Sequence, residues 1–259
     1  MKDLTVIIPA YNEEKRIRPT LMELGKYFSK SSIECEVIVV VNNSTDNTVD
    51  VVKEVAKSYE FIKVMNIKGY TGKGGAIARG VKIGKGKYVA YQDADGSSSI
   101  KDLVKGFNML KKNPELDLVM GSRYMRKSEI SGDMPVYRFV LSRMFNVAVR
   151  TLFGLKFADT QCAVKVMKRH VAKKLMKILV ANKWTVDVNL LIDSKFNGFK
   201  VREFPIKWIY KAESKLNFRK AFKEVSLELA KLKMYQLKKS FSKIRYNYSR
   251  ANLNSMKND

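Results

Sequence analysis

The feature that most constrains this fold is a series of short apolar runs that do not alternate in polarity, each followed by a stretch with helical spacing. Residues 4–9 (Leu-Thr-Val-Ile-Ile-Pro), 36–41, 62–67, 88–92 and 117–120 read as strands. Between them, 13–28 carries Ile17, Leu21, Leu24 and Phe28 at helical intervals. Ser44-Thr45-Asp46 precedes Val49, Val52, Val55 and Ala56, Gly72 to Gly75 opens a helix through Ile77, Val81 and Ile83, and 103–110 lies in another. Strands that are apolar on both sides and alternate with helices build a mostly parallel sheet covered on both faces. The expected class is therefore α/β and Rossmann-like, with helices flanking the sheet. Ligands of such sheets bind beyond the carboxyl ends of the strands. Asn12, Asn42, Asn43 and the run Asp93-Ala94-Asp95 all fall at such ends.

After about Ser122 the pattern changes. Residues 137–153 predict an apolar helix with Arg138, Arg143 and Arg150 along it, 163–167 and 200–208 predict strands, and 184–196 a helix between them. From 217 to about 246 the chain reads as a long basic amphipathic helix or a broken pair. Phe218, Phe222, Val225, Leu229 and Leu232 form one stripe, and Lys220, Lys223, Lys231, Lys238 and Lys239 are spread over the rest. This divides the chain into one α/β unit over 1–216 and a basic helical tail over 217–259.

The chain has 259 residues and a hydrophobic fraction of 46%, enough for a substantial core. Its two cysteines, Cys35 and Cys162, give no disulfide framework and fit a reducing compartment. A single histidine, His170, leaves a zinc site without support. No secretory leader pattern precedes the first strand, and no run approaches the roughly 20 apolar residues that span a bilayer. The expectation is a cytoplasmic protein, soluble or held on a membrane surface. The net charge of +25 attracts a polyanion, which can be nucleic acid, anionic lipid or a phosphorylated substrate. A nucleic-acid binder lacks any helix-turn-helix, zinc-finger or RNA-recognition signature here, and paired carboxylates at a strand end repel phosphate unless a cation is bound.

Four strand-end or loop motifs carry chemistry. Asp93-Ala94-Asp95 places two carboxylates where a buried strand meets a loop, and such a pair can hold a hard divalent cation together with a substrate's phosphate oxygens. Pro9-Ala10-Tyr11-Asn12-Glu13-Glu14 offers a ring to stack on a base, or else an ordinary strand-to-helix turn. The side chains of Asn42 to Thr48 can grip a ribose or base edge, or equally cap a helix. Gly69-Tyr70-Thr71-Gly72-Lys73-Gly74-Gly75-Ala76 lets backbone and Lys73 approach an anion, though it is not a Walker A loop. Cys162 reads as a small core residue, since no histidine accompanies it.

Taken in order, these motifs resemble the catalytic domain of glycosyltransferase family 2, and more closely its polyprenyl-phosphate (dolichyl-phosphate) glucosyl- and mannosyltransferases. Gly121-Ser122-Arg123, Asp159-Thr160-Gln161-Cys162 and Ser214-Lys215-Leu216 extend the match to roughly the first 216 residues. The resemblance implies a GT-A fold, a nucleotide-sugar donor and Mg²⁺ or Mn²⁺ on Asp93 and Asp95. It implies a donor pocket lined by Pro9, Ala10, Tyr11, Glu13, Asn43, Lys73, Gly74, Asp93, Ala94 and Asp95. It also implies a catalytic group of Asp95, Asp159, Gln161, Arg123 and Lys215, with Asp159 acting as base or orienting the acceptor, and Arg123, Arg138 and Lys215 as cations for phosphate. The family usually has two aspartates and a glycine where this chain has Asn42-Asn43-Ser44. That removes two charges and implies altered affinity.

Asp159 to Cys162 and Trp184-Thr185-Val186-Asp187-Val188 are more similar to the glucosyl branch, which favours UDP-glucose. The implied reaction is an inverting transfer to a polyprenyl phosphate, serving glycan or glycoprotein assembly. A non-lipid acceptor and a catalytically silent nucleotide-sugar binder stay open beside it. For a lipid acceptor, helix 137–153 and the basic tail would lie apolar side down on an anionic membrane. Packing of these helices on the domain, or on a second subunit in a homo-oligomer, is the other reading.

Overall fold

The computed structural model describes residues 2–211 and 218–255, with side chains of the final helix described over 223–242. Its first half alternates β1 (Leu4–Ala10), α1 (Ile17–Phe28), β2 (Cys35–Asn42), α2 (Thr48–Ser58), β3 (Ile62–Ile67), α3 (Gly72–Ile83), β4 (Tyr88–Tyr91), α4 (Ile100–Lys112) and β5 (Leu118–Ser122). There follow β6 (Glu129–Ser131), α5 (Val136–Phe153), β7 (Lys165–Lys168), α6 (Arg169–Met176), α7 (Val186–Phe196), β8 (Val201–Pro205), β9 (Lys207–Ile209) and α8 (Phe218–Ser255).

Seven strands form one sheet in the order β3-β2-β1-β4-β7-β5-β8. Every neighbouring pair is parallel except those of β7, which runs antiparallel to both β4 and β5. The strand order turns around at β1, with β2 and β3 to one side and β4 to the other, and this is where an open sheet leaves a crevice beyond its carboxyl ends. The non-alternating runs have the burial they require: β2 is buried at every position and β1 at all but Pro9. One face of the sheet packs against α1, α2 and α4, where Ile17, Leu21, Leu24 and Phe28 form the buried stripe of α1. The other face packs against α3, α6 and α7. Each such fully buried aliphatic or aromatic side chain contributes about 1.5–3 kcal/mol.

Three departures from the sequence reading have local causes, while the C-terminal region takes the single-helix alternative. The helix after β1 starts at Ile17, because the Glu13 and Glu14 amides donate to Thr48 Oγ1 (2.8 Å) and Asp46 Oδ2 (3.2 Å). The run at 163–167 becomes a strand at Lys165–Lys168, inserted antiparallel. The run at 200–208 breaks at Ile206, so that β8 stays in the main sheet while β9 pairs with β6 in a two-stranded ribbon. The C-terminal stretch is one helix over Phe218–Ser255.

That helix packs on the domain. Leu232 is fully buried, Tyr235 Oη and Lys239 Nζ donate to Asp193 Oδ1 on α7 (2.7 and 2.5 Å), and Lys233 Nζ donates to the Leu152 carbonyl of α5 (2.7 Å). Its far side exposes Leu227, Met234, Leu237 and Phe241. On α5 only Asn146, Val149 and Phe153 are buried, while Val136, Tyr137, Phe139, Val140, Leu141, Met144 and Val147 are exposed. Among the described residues no helix is long and apolar enough to cross a membrane. Both cysteines are free and buried. Burial and the nearby Glu36 push the Cys35 thiol well up, and burial with Asp159 beside it pushes Cys162 up to about 12.

Candidate active site

A cleft of about 910 Å³ opens at the turning point of the strand order, beyond the ends of β1 and β4. It gathers Pro9, Ala10, Tyr11 and Glu13 from the end of β1, Lys73 from the first turn of α3, and Asp93, Ala94 and Asp95 from the end of β4. Arg123 and Gln161, with the strand-end Asn12 and Asn42, are further sequence-predicted residues that line it. Asn43, Gly74 and Asp159 lie outside the lining, and Lys215 lies outside the described residues. Arg138 stacks on the Tyr210 ring at 5.8 Å and does not line the cleft.

The acidic turn is built locally. Gly96 takes φ +70°, which L side chains adopt at a cost, and lets the chain reverse straight after Asp95. The Asp95 carboxylate accepts from the Ser97 amide (2.9 Å), and Thr20 Oγ1 on α1 donates to the Ala94 carbonyl (2.9 Å). Asp93 is only partly covered and pairs with Lys73 Nζ at 2.6 Å. Burial alone would lower the Lys73 ammonium, but Asp93 and Asp187 outweigh it and hold the group above its ordinary range, so it stays charged at neutral pH. Burial also raises the Glu13 carboxyl, with Asp95 and Asp93 adding to the rise and Arg16 opposing it through Nε–Oε2 and Nη2–Oε1 contacts of 2.8 and 2.6 Å.

The donor set fits a hard cation shared with a ligand. Among the described residues no three Asp, Glu, His or Cys side chains converge as a self-sufficient metal site. Two partly exposed carboxylates beside a lysine, facing an open cleft, are the set that Mg²⁺-type ions use when substrate phosphates supply further oxygens.

The second-strand motif ties loops together, and its Asn42 also lines the cleft. Asn42 is buried; its Oδ1 accepts from the Thr71 amide (2.9 Å) and its Nδ2 donates to the Gly72 carbonyl (3.2 Å). Asn43 takes φ +61° and its Oδ1 accepts from the Gly69 amide (3.1 Å). Ser44 and Thr45 bond Asn12, which itself sits at φ +55°. These side chains knit three strand-end loops together. The glycine turn likewise departs from an open anion cradle. The Gly74 amide donates to the Asn182 carbonyl (2.7 Å), so it is taken, and a Cβ on Gly72 would lie 2.3 Å from the same oxygen. Of the turn's residues, Tyr70, Lys73 and Ala76 line the cleft.

Arg123, also in the cleft wall, is held by Asp159. Arg123 Nε, Nη2 and backbone N donate to its carboxylate at 2.7, 3.0 and 3.1 Å, and the Gln161 amide adds a bond of 3.1 Å. Burial acts to raise the Asp159 carboxyl, but Arg123 and these hydrogen bonds win and hold it below the usual carboxylate range. A fully buried, low-pKa carboxylate whose oxygens are all engaged is a poor proton acceptor. Of the roles left open for Asp159, this geometry suits an orienting group behind Arg123, whose guanidinium also lies over Tyr124 and Trp208 (5.2 and 5.5 Å).

Several lining residues escaped the sequence reading: Arg16, Tyr70, Ser142, Lys183 and Glu224. Tyr70 meets Tyr11 edge to face, with centroids 5.5 Å apart. Asp187 lines the cleft from α7 and accepts from Tyr91 Oη and from the fully buried Lys165 Nζ, each at 2.6 Å. An aspartate inside the apolar run Trp184 to Val188 was the available signal.

The family model described as "Glycosyl transferase family 2" matches residues 5–176. The chain belongs to glycosyltransferase family 2. Within the family it is 30% identical over 224 residues to a dolichyl-phosphate beta-glucosyltransferase of Dictyostelium discoideum, covering 83% of this chain and 68% of that protein. It is 31% identical over 226 residues to the human dolichyl-phosphate beta-glucosyltransferase, covering 83% and 70%. The fold of this family 2 glycosyltransferase is shared with glucosyl-3-phosphoglycerate synthase from Mycobacterium tuberculosis, solved with Mn²⁺, UDP and glucosyl-3-phosphoglycerate. There the TM-score is 0.66 at 19% identity, with 89% of this chain and 78% of that chain covered. The mostly parallel sheet with flanking helices is the GT-A arrangement that the motifs imply.

Proposed function

We propose that the protein transfers glucose from UDP-glucose, with inversion, to the phosphate of a polyprenyl lipid. The observation that carries this reading is the gathering of Asp93, Asp95 and Lys73 with Arg123 and Gln161 in one cleft, in a chain whose relatives are named for dolichyl-phosphate glucosyl transfer. Pro9, Ala10, Tyr11 and Glu13 line the base and ribose side, with Asn43 holding the neighbouring loop. Asp93 and Asp95 would hold Mg²⁺ or Mn²⁺, which would supply positive charge to offset that building on the leaving diphosphate. Lys73 adds a fixed positive charge there. Arg123, steadied by Asp159, and Gln161 face the acceptor phosphate, with Lys215 as a further cation.

An oxygen of that phosphate attacks the sugar C1 while the bond from C1 to the diphosphate breaks. A phosphate monoester has a second pKa of about 6 and arrives ionised at neutral pH, so the site needs cations and alignment rather than a base. This agrees with the engaged oxygens of Asp159.

The lipid reading draws on α5. The same helix lends Ser142 to the cleft and turns Val140, Met144 and Val147 outward. An apolar surface beside the acceptor end suits a substrate whose tail stays in the bilayer. Lysines and arginines near an anionic leaflet contribute about 1 kcal/mol each, and the +25 chain has many. The protein then works as a peripheral enzyme on a cytoplasmic membrane face. A soluble phosphorylated acceptor is the second reading, since the structurally similar synthase was crystallised with phosphoglyceric acid.

The test is incubation with UDP-glucose, Mn²⁺ and polyprenyl phosphate in liposomes, with 3-phosphoglycerate as a parallel acceptor. A glucosyl lipid that disappears in Asp95→Asn is the expected result. Absence of lipid-linked product with UDP-glucose and every other nucleotide sugar would defeat the reading.

A further inference from the structure

The C-terminal helix meets the cleft wall through two carboxylates, Glu224, which lines the cleft, and Glu228 behind it. Glu228 of α8 is 7% exposed. Its Oε1 accepts from the Lys183 amide at 2.9 Å, and its Oε2 accepts from the Trp184 amide, the Thr185 amide and Thr185 Oγ1 at 3.0, 3.0 and 3.1 Å. These donors form the start of α7, whose N-terminal residue Thr185 makes no side-chain cap of its own. An acceptor with negative charge is what a helix N-terminus needs, and here it arrives from 43 to 45 residues further along the chain.

The segment that Glu228 holds is part of the cleft wall, where Lys183 and Trp184 stand beside Tyr70. A second α8 residue, Glu224, reaches both of them: Lys183 Nζ lies 3.3 Å from Oε1, and Trp184 Nε1 donates to Oε2 at 3.2 Å. On its other side the segment seats α3. The Asn182 carbonyl takes the Gly74 amide, and Gly72 and Gly74 approach that oxygen too closely to admit a methyl without a shift. The first turn of α3 carries Lys73, 2.6 Å from Asp93. A continuous chain of contacts thus runs from Glu228 through residues 182–185 to the cation that faces the acidic turn.

We propose that Glu228 is a positioning residue for the donor half of the cleft, and that α8 is thereby a working part of the nucleotide site. The inference rests on the reading of this cleft as the nucleotide-sugar site. Loss of the Glu228 charge leaves the 183–185 amides with weaker acceptors, and the segment and α3 lose their common seat. A misplacement of about 1 Å in a binding constellation is enough for a tenfold to hundredfold effect.

The experiment compares the native chain with Glu228→Gln, Glu228→Asp and Tyr235→Phe. Calorimetry measures UDP binding in Mn²⁺, steady-state assays measure the KM for UDP-glucose and kcat, and thermal melts report folding. Glu228→Gln should weaken UDP binding at least about tenfold, with KM rising more than kcat falls. Glu228→Asp keeps the charge on a shorter stem and should fall between, which preserves the test if the glutamine variant does not fold. Tyr235→Phe loosens α8 from Asp193 on α7, where no cleft residue takes part, and should leave UDP affinity within about twofold of native, since the perturbed contact is remote. If folded Glu228→Gln or Glu228→Asp melts earlier yet binds UDP as tightly as native, Glu228 only stabilises α7 and the proposal is overturned. Equal losses in Glu228→Gln and Tyr235→Phe would overturn it as well. A native chain that binds no UDP in Mn²⁺ would instead remove the donor-site reading, and this inference with it.

Discussion

Asp159→Asn isolates the orienting contact behind Arg123. The substitution keeps the side chain's shape but removes its charge and turns one oxygen into a donor, which must face an Arg123 N–H or the Gln161 amide. In the native protein the Asp159 side chain is 1% exposed and that of Arg123 16%. Removing one partner of a buried ion pair costs about 3–5 kcal/mol. Arg123 borders the cleft and keeps partial access to water, so the lower end, about 3 kcal/mol, is expected. At about 2–4 °C per kcal/mol for a chain near this size, the melting temperature should fall by about 6–12 °C.

The pH dependence has a definite sign. Because the folded carboxyl lies below its unfolded value, its contribution is present above the unfolded pKa, about 3.9, and is lost as pH falls through the lower folded pKa. Native and variant melting curves should therefore stay apart from about pH 5 to 8 and converge in stronger acid. Scanning calorimetry over that range is the assay, with glucosyl-lipid turnover measured in parallel. A variant melting within about 2 °C of native at pH 7 would refute the buried-pair argument. A native pH–rate profile whose acid limb near pH 6 vanishes in Asp159→Asn would restore Asp159 as a base.

Three further outcomes follow from the same geometry. Lys165→Met takes the buried cation from Asp187, whose remaining hydrogen-bond donor among the described residues is Tyr91, and urea unfolding should show a loss of about 3–5 kcal/mol. Gly72→Ala meets both a φ of +72° and the Asn182 carbonyl, so it should lower the melting temperature and raise the KM for nucleotide sugar together; a neutral result would mean that the 182–185 segment yields easily. Met144→Glu on the outer face of α5 should abolish flotation with anionic liposomes while leaving the melting temperature within about 2 °C, as expected of an exposed position.

Much of this architecture is written in the sequence because burial on both faces leaves a local mark. Val37 to Val41 can only be an interior strand, and the carboxyl ends of such strands point to Tyr11 and Asp93 without further information. The orientation of β7 leaves no such mark, since Lys165 to Lys168 looks the same whichever way it pairs. The Lys165–Asp187 contact is equally silent: the residues lie 22 apart, and each alone resembles a surface charge. Asn42 to Thr48 stay ambiguous in sequence for a physical reason. Short amides and hydroxyls that can grip a ribose are the same groups that tie loops together, and only their geometry distinguishes the two uses. Glu228 disappears among the lysines of an ordinary basic helix until the fold brings the 183–185 amides to it.

The two shielded thiols give the molecule a practical property. With Cys35 and Cys162 both enclosed and strongly protonated, maleimides and iodoacetamide find no thiolate on the native surface, and mild oxidants find no bridge to form. One cysteine engineered at the outward side of α5 or α8 would then be the sole point of labelling. A fluorophore or nitroxide attached there would report its own depth and surroundings against a silent background.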